Sequence, residues 1–234
     1  MIHFLLSMIS KIFFLFIIFF ASIFSPATQT HSMKTFRMLN LGDSYTIGEA
    51  VPSEENFPHQ LATQLNKSGI EISSPEIIAI TGWTTDELKS GIKENPPIPP
   101  YDLVTLLIGV NNQYRGRSID EYRIQFRELL NDAIKYANNN SSHVIVVSIP
   151  DWGVMPFAEG RDRKKIAEEI DAFNKVNEEE AAHSGTHYIN ITNISRDATT
   201  NTELIASDGL HPSGKQYSLW TEKIFPVAKN ILSN

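Results

Sequence analysis

The sequence predicts a three-layer α/β/α domain built on a five-stranded parallel sheet, and three observations carry that prediction. Apolar, β-rich runs alternate with longer amphipathic ones from Phe36 to Leu232. The runs 76–80, 103–108 and 144–149 are almost continuously hydrophobic, as strands covered on both faces must be. No period of 20 to 50 residues repeats, which argues against a solenoid or a propeller. Alternation of strand and helix points to one domain with right-handed crossovers and no second core.

In chain order, the strands are expected at 36–41, 76–80, 103–108, 144–149 and, more weakly, 186–191. Helical patterns fill the gaps at 57–66, 85–93, 119–138, 161–183 and 212–232. Ser118 reads as an N-cap with Glu121 as the acid of a capping box. The proline-rich stretch 95–100 reads as a stiff connector into the third strand, and Asn138-Asn139-Asn140-Ser141-Ser142 as a turn before the fourth. Arg161 to Lys165 and Glu178-Glu179-Glu180 look like the two charged ends of one solvated helix. The basic end is the N-terminal one, where the helix dipole disfavours it, so Arg161 or Arg163 is expected to bond something specific.

The first 24 residues are almost wholly apolar with Lys11 as the only charge, densest from Ile12 to Phe24. That run is short for a membrane span and suits the h-region of a secretory signal, with Ser25-Pro26-Ala27 as a small-residue cleavage site. Residues 1–27 are therefore expected to be a signal peptide or, if uncleaved, an N-terminal anchor and the only membrane contact. Residues 34–232 form the folded domain, exported to a periplasmic or extracellular space.

Removal of residues 1–27 takes away Lys11 and no acid, so the formal charge moves from −7 to −8. An acidic domain without Lys/Arg runs offers phosphate backbones no footprint, and no nucleic-acid partner is expected. With no cysteine, neither a disulfide framework nor a thiolate metal site is possible. His59, His143, His183 and His187 lack the paired spacing of a zinc motif, so neither metal nor cofactor is expected.

Chemistry concentrates at the predicted strand ends. Gly42-Asp43-Ser44 follows the first strand, Gly82 the second and Gly109-Val110-Asn111-Asn112 the third, while Asp208-Gly209-Leu210-His211 precedes the last helix. In an open parallel sheet, ligands sit beyond the carboxyl ends of the strands, so these residues share one rim. A serine there, with a carboxylate and an imidazole, is the minimum equipment for nucleophilic acyl transfer. Taken singly, each motif has a plainer reading. Gly-Asp-Ser is an ordinary turn and N-cap, and Asp-x-x-His with Pro212 is a capped helix start.

The four blocks together resemble the SGNH or GDSL hydrolase family over roughly residues 36–232: Leu41-Gly42-Asp43-Ser44-Tyr45, then Gly82, then Gly109-Val110-Asn111-Asn112, then Asp208-Gly209-Leu210-His211. The resemblance implies a flavodoxin-like five-stranded sheet and a carboxylic ester hydrolase. Ser44 would be the nucleophile, His211 the base and Asp208 its orienting acid. The N–H groups of Ser44 and Gly82 and the Asn111 amide would form the oxyanion hole. The family's usual Gly-x-Asn-Asp reads Gly-x-Asn-Asn here, which puts the local bonding of Asn112 in question. Tyr45, Trp83, Trp152 and Met155 are expected to wall the substrate pocket, although the 151–157 stretch fits a core role equally.

Substrates implied are esters or thioesters of lipids, acylated sugars or small alcohols. The alternatives are a lysophospholipase or thioesterase for long acyl chains, a nucleotide-binding flavodoxin-like domain, and a non-catalytic ligand-binding module on the same scaffold. An α/β-hydrolase is disfavoured because no Gly-x-Ser-x-Gly surrounds Ser44.

Overall fold

The computed structural model describes residues 34–233; the expected signal or anchor at 1–27 lies outside them. The strands are β1 (Met38–Gly42), β2 (Glu76–Ala79), β3 (Leu103–Leu107), β4 (Val144–Val147) and β5 (His187–Ile189). All neighbouring pairs are parallel, in the order β2-β1-β3-β4-β5. The order reverses direction at β1, so a crevice opens beyond the carboxyl ends of β1 and β3. Register pairs Gly42 with Leu107 and with Ala79, bringing the ends of the three strands level.

Strand order also corrects an expectation. β1, β3 and β4 are buried throughout, but β2 is an edge strand whose residues are only partly buried, and Ile80 just beyond it is 53% exposed. Its apolar run thus belongs to an edge strand, and the strands covered on both faces are β1, β3 and β4. Burial there forces polar side chains to pair: the Thr105 hydroxyl donates to Asn40 Oδ1 at 2.8 Å, and Asn40 Nδ2 donates to the Glu76 carbonyl.

The long helices are α2 (Phe57–Lys67), α3 (Thr85–Glu94), α5 (Ile119–Tyr136), α6 (Arg163–Ser184) and α8 (Gly214–Ser233). The short ones are α1 (Ser44–Ile47), α4 (Val110–Tyr114) and α7 (Thr192–Arg196). α2 packs with α8, and α5 packs with both α3 and α6. The short helices were not expected, because four or five residues carry no readable periodicity.

The capping box expected at Ser118 is only half present: Ser118 Oγ accepts from Glu121 N at 3.5 Å, while Glu121 itself accepts from Gln125 Nε2. A complete capping box sits at Thr84 and Glu87, opening α3. The last helix begins at Gly214 rather than Pro212, because Pro212 forms an isolated bridge with Ile205.

Candidate active site

Gly42 has no room for a side chain, since a Cβ there would lie 2.1 Å from Thr46 Oγ1 and 2.4 Å from the Leu107 carbonyl. The close approach turns the chain sharply into α1, with Asp43 as N-cap. Its Oδ1 accepts from Tyr45 N at 3.0 Å, and Ser44 occupies the first helical position. Gly48 N and Glu49 N both donate to the Ser44 carbonyl, closing the turn behind the serine. Asp43 is fully buried, and this desolvation pushes its carboxyl up to about 7 against the lowering effect of backbone N–H donors. Its Oδ2 has no hydrogen-bond partner in the structure.

At the far end of the sequence, Asp208 organises its own turn. Oδ1 accepts from the backbone N–H of Leu210 and of His211, each at 3.0 Å, and Oδ2 lies 2.5 Å from His211 Nδ1. Burial raises the Asp208 carboxyl, but the His211 ring and these N–H donors outweigh it and hold the group below the usual aspartate range. An imidazole donating from Nδ1 keeps Nε2 free to accept a proton. The His211 ring is 6% exposed and lies 5.2 Å, centre to centre, from the Tyr45 ring.

Gly82 follows β2 with φ +87°, a conformation that favours glycine. Asn111, on α4, donates from Nδ2 to the Trp83 carbonyl at 3.0 Å. A primary amide has two N–H hydrogens, so one remains for another acceptor. Asn112 is turned away and buried: Oδ1 accepts from Thr85 N at 3.0 Å, and Nδ2 donates to Thr85 Oγ1 at 2.7 Å. That hydroxyl passes its own hydrogen to Gln125 Oε1. The departure from the family's pattern is thereby absorbed by a relay that an amide completes.

Ser44, Gly82, Asn111 and His211 all line one cavity of about 160 Å³, with Asp208 behind His211. Tyr45 and Trp152 line it as well. Trp83 and Met155 do not. The Trp83 ring packs against Gly91, where a Cβ would overlap it at 2.1 Å, and Met155 is fully buried in a small cluster with Ala198 and Leu204. Both are drawn away by apolar partners that only the tertiary fold reveals.

Two aromatic residues take their place, Tyr114 and Phe157, which stay 44% and 43% exposed at the mouth. Tyr114 lies one helical turn after Asn111, a spacing that would have marked it had α4 been expected. With Trp152 they form a mutually packed trio at centroid distances of 5.3, 6.2 and 6.1 Å. The Arg161 guanidinium sits over all three rings and donates to the Tyr114 hydroxyl at 3.1 Å, while Arg163 donates to the carbonyls of Val154 and Met155. Arg161, just before α6, thus bonds the wall of the cavity, and Arg163 bonds the loop between Trp152 and Phe157. Among the described residues, no group of three or more His, Cys, Asp or Glu side chains is arranged to hold a metal ion.

Residues 41–219 match the GDSL-like Lipase/Acylhydrolase family, and the chain belongs to it. As a member it is a carboxylic ester hydrolase. Solved structures of similar fold include the psychrotrophic esterase EstA from Pseudoalteromonas sp., at 18% identity and TM-score 0.61, covering 85% of this chain and 99% of that one. The acetylxylan esterase Axe2 from Geobacillus stearothermophilus matches at 16% identity and TM-score 0.66, covering 84% and 95%. A lipase/acylhydrolase from Enterococcus faecalis matches at 23% identity and TM-score 0.64, covering 84% and 96%. A search of curated proteins by sequence finds no match.

Proposed function

We propose that the protein is an exported serine esterase that cleaves carboxylic esters or thioesters of small or acylated substrates through an acyl-enzyme on Ser44. The observation that carries this reading is the shared cavity. Ser44, the Asp208-oriented His211, Gly82 and Asn111 border one space from four separate segments of the chain. His211 Nε2 takes the Ser44 proton as Oγ attacks the ester carbonyl. Charge on the tetrahedral oxygen falls to the N–H groups of Ser44 and Gly82 and to the free amide hydrogen of Asn111. Collapse expels the alcohol or thiol with the proton from His211, and water then repeats the sequence to release the acid. Asp208, held in its charged form by its N–H donors, stabilises the imidazolium that appears twice per turnover.

The apolar segment Ile12 to Phe24 and the small residues that follow support export, with residues 1–27 as the signal and 34–232 as the catalytic domain. No helix among the described residues is long and apolar enough to cross a membrane. The small cavity favours acyl groups of roughly two to eight carbons, since each further methylene contributes about 0.8 kcal/mol only while wall remains to cover it. A series of p-nitrophenyl esters from acetyl to palmitoyl, with Ser44→Ala as control, tests the mechanism and the chain-length preference. Hydrolysis that persists in the control sinks the mechanism. A specificity constant still climbing from octanoyl to palmitoyl replaces the short-chain reading with a lysophospholipase or thioesterase.

A further inference from the structure

We propose that Arg115, whose side chain reaches the cavity lining at the Gly82 carbonyl, is a positioning residue that holds the oxyanion half of the site in place. The inference rests on the reading of Gly82 N–H as an oxyanion donor.

Little surrounds Gly82 on the side where a Cβ would stand. At φ +87° it has no side chain, and the only atom within 4 Å of where a Cβ would stand, its chain neighbours aside, is Arg115 Nη2 at 3.8 Å. The peptide that follows Gly82 is held by hydrogen bonds: Trp83 N donates to the Ile80 carbonyl at 3.2 Å within the turn, and Arg115 supplies the bond from outside it. Arg115 Nη2 donates to the Gly82 carbonyl at 2.6 Å, while Nη1 of the same guanidinium pairs with Glu87 Oε1 at 3.1 Å. Glu87 is itself fixed, because its other oxygen accepts from Thr84 N at 2.8 Å and from the Thr84 hydroxyl in the capping box of α3. The planar fork thus ties the glycine to the capping box that opens a helix, a geometry that lysine cannot reproduce.

The same pattern continues along both segments. Trp83 O accepts from Asn111, Thr85 pairs with Asn112, and Asp86 pairs with Arg117 at 3.2 Å. On the other side of the glycine, the Thr81 hydroxyl bonds Glu49. The segment after β2 is therefore laced to the segment after β3, and Arg115 is the rung that reaches Gly82 directly.

The Arg115–Glu87 pair is exposed, at 41% and 39% of its side chains, and exposed pairs add little to stability. This separates positioning from folding. Arg115→Ala should lower kcat on p-nitrophenyl acetate by about 10- to 100-fold with KM changed less than about threefold, as a displaced oxyanion donor requires. The rate of phosphonylation by a fluorophosphonate should fall in step, and the melting temperature should stay within about two degrees of wild type. Millimolar guanidinium should restore part of kcat in Arg115→Ala, and Arg115→Lys should lie between the two. Arg117→Ala, which cuts a rung remote from Gly82, should keep kcat within about twofold.

An Arg115→Ala enzyme with kcat within twofold of wild type overturns the proposal. So does an equal loss in Arg117→Ala, or a loss that follows a lowered melting temperature and does not respond to guanidinium. Ser44→Ala run alongside keeps the two claims apart: activity there defeats the esterase mechanism itself, whereas an inactive Ser44→Ala beside a fully active Arg115→Ala defeats only the positioning role.

Discussion

The turn 208–211 and the paired segments 82–87 and 111–117 build two halves of one site by opposite means. The turn is local: a single carboxylate, three residues from its imidazole, accepts two backbone N–H groups and the ring, and so sets both the backbone and the tautomer. The proposed oxyanion half is assembled across the sheet from the segments after β2 and β3, through Arg115, Asn112 and the Asn111 amide itself. Proton transfer needs a pair whose geometry survives each charge cycle, and a short turn supplies that. An oxyanion hole needs donors that converge from different directions, which one short segment cannot provide.

Damage to the local half should be the more severe. His211→Ala, like Ser44→Ala, should reduce kcat by about 10⁴ or more, with the double variant little worse than either single, since the groups act as a unit. Asp208→Asn should cost on the order of 10³ to 10⁴ because it removes the charge that stabilises the imidazolium. Steady-state kinetics on one short-chain ester, with folding checked by circular dichroism, measures all of these. Additive losses in the double variant would break the picture of a single proton-transfer unit.

In the assembled half, Asn111→Ala should lower kcat by about 10²- to 10³-fold with a smaller change in KM. Asn112→Asp should remain within about threefold of wild type. An aspartate at 112 still accepts from Thr85 N, and the Thr85 hydroxyl turns its hydrogen from Gln125 Oε1 to the new carboxylate while Gln125 keeps its bond to Glu121. Equal loss in both variants would show that Asn111 serves the loop and not the oxyanion.

A smaller effect, on stability, comes from Asp43, which sits under the serine turn. Its folded-state carboxyl is pushed up to about 7 from an ordinary aspartate value near 4, so between those pH values the folded protein holds a proton that the unfolded chain has lost. Stability from this group is therefore complete below about pH 4 and declines as pH rises through 7. Asp43→Asn keeps the N-cap acceptor and cannot ionise. It should match wild type below about pH 4 and exceed it at pH 8 by up to about 4 kcal/mol in urea unfolding. A pH-independent difference between the two would mean that Asp43 is not neutral in the fold below pH 7.

What the sequence disclosed follows the same division. The pairing of Asp208 with His211 is legible because their relation is three residues long, and the gathering of Ser44, Gly82 and Asn111 on one rim because each follows a readable apolar run. Arg115 was invisible, since nothing in Gln113-Tyr114-Arg115-Gly116 announces a carbonyl more than thirty residues upstream. The wall was half legible. Trp152 and Phe157 lie in a stretch flagged by its aromatics, whereas Met155 in the same stretch turns into a buried cluster with Ala198 and Leu204. Side-chain direction in an irregular loop carries no period from which to read it. The sheet was legible except for its edge: the apolar run at 76–80 looks central by composition, and only the strand order makes it peripheral.

Covalent capture tests the central claim most directly. The wild-type domain is treated with a fluorophosphonate, and the adduct is mapped by mass spectrometry. The account predicts one phosphonyl group per chain, on Ser44 Oγ with loss of fluoride, no adduct in Ser44→Ala and slowed labelling in Asn111→Ala. An adduct on another residue, undiminished labelling of Ser44→Ala, or an active wild-type enzyme that resists the reagent would contradict it.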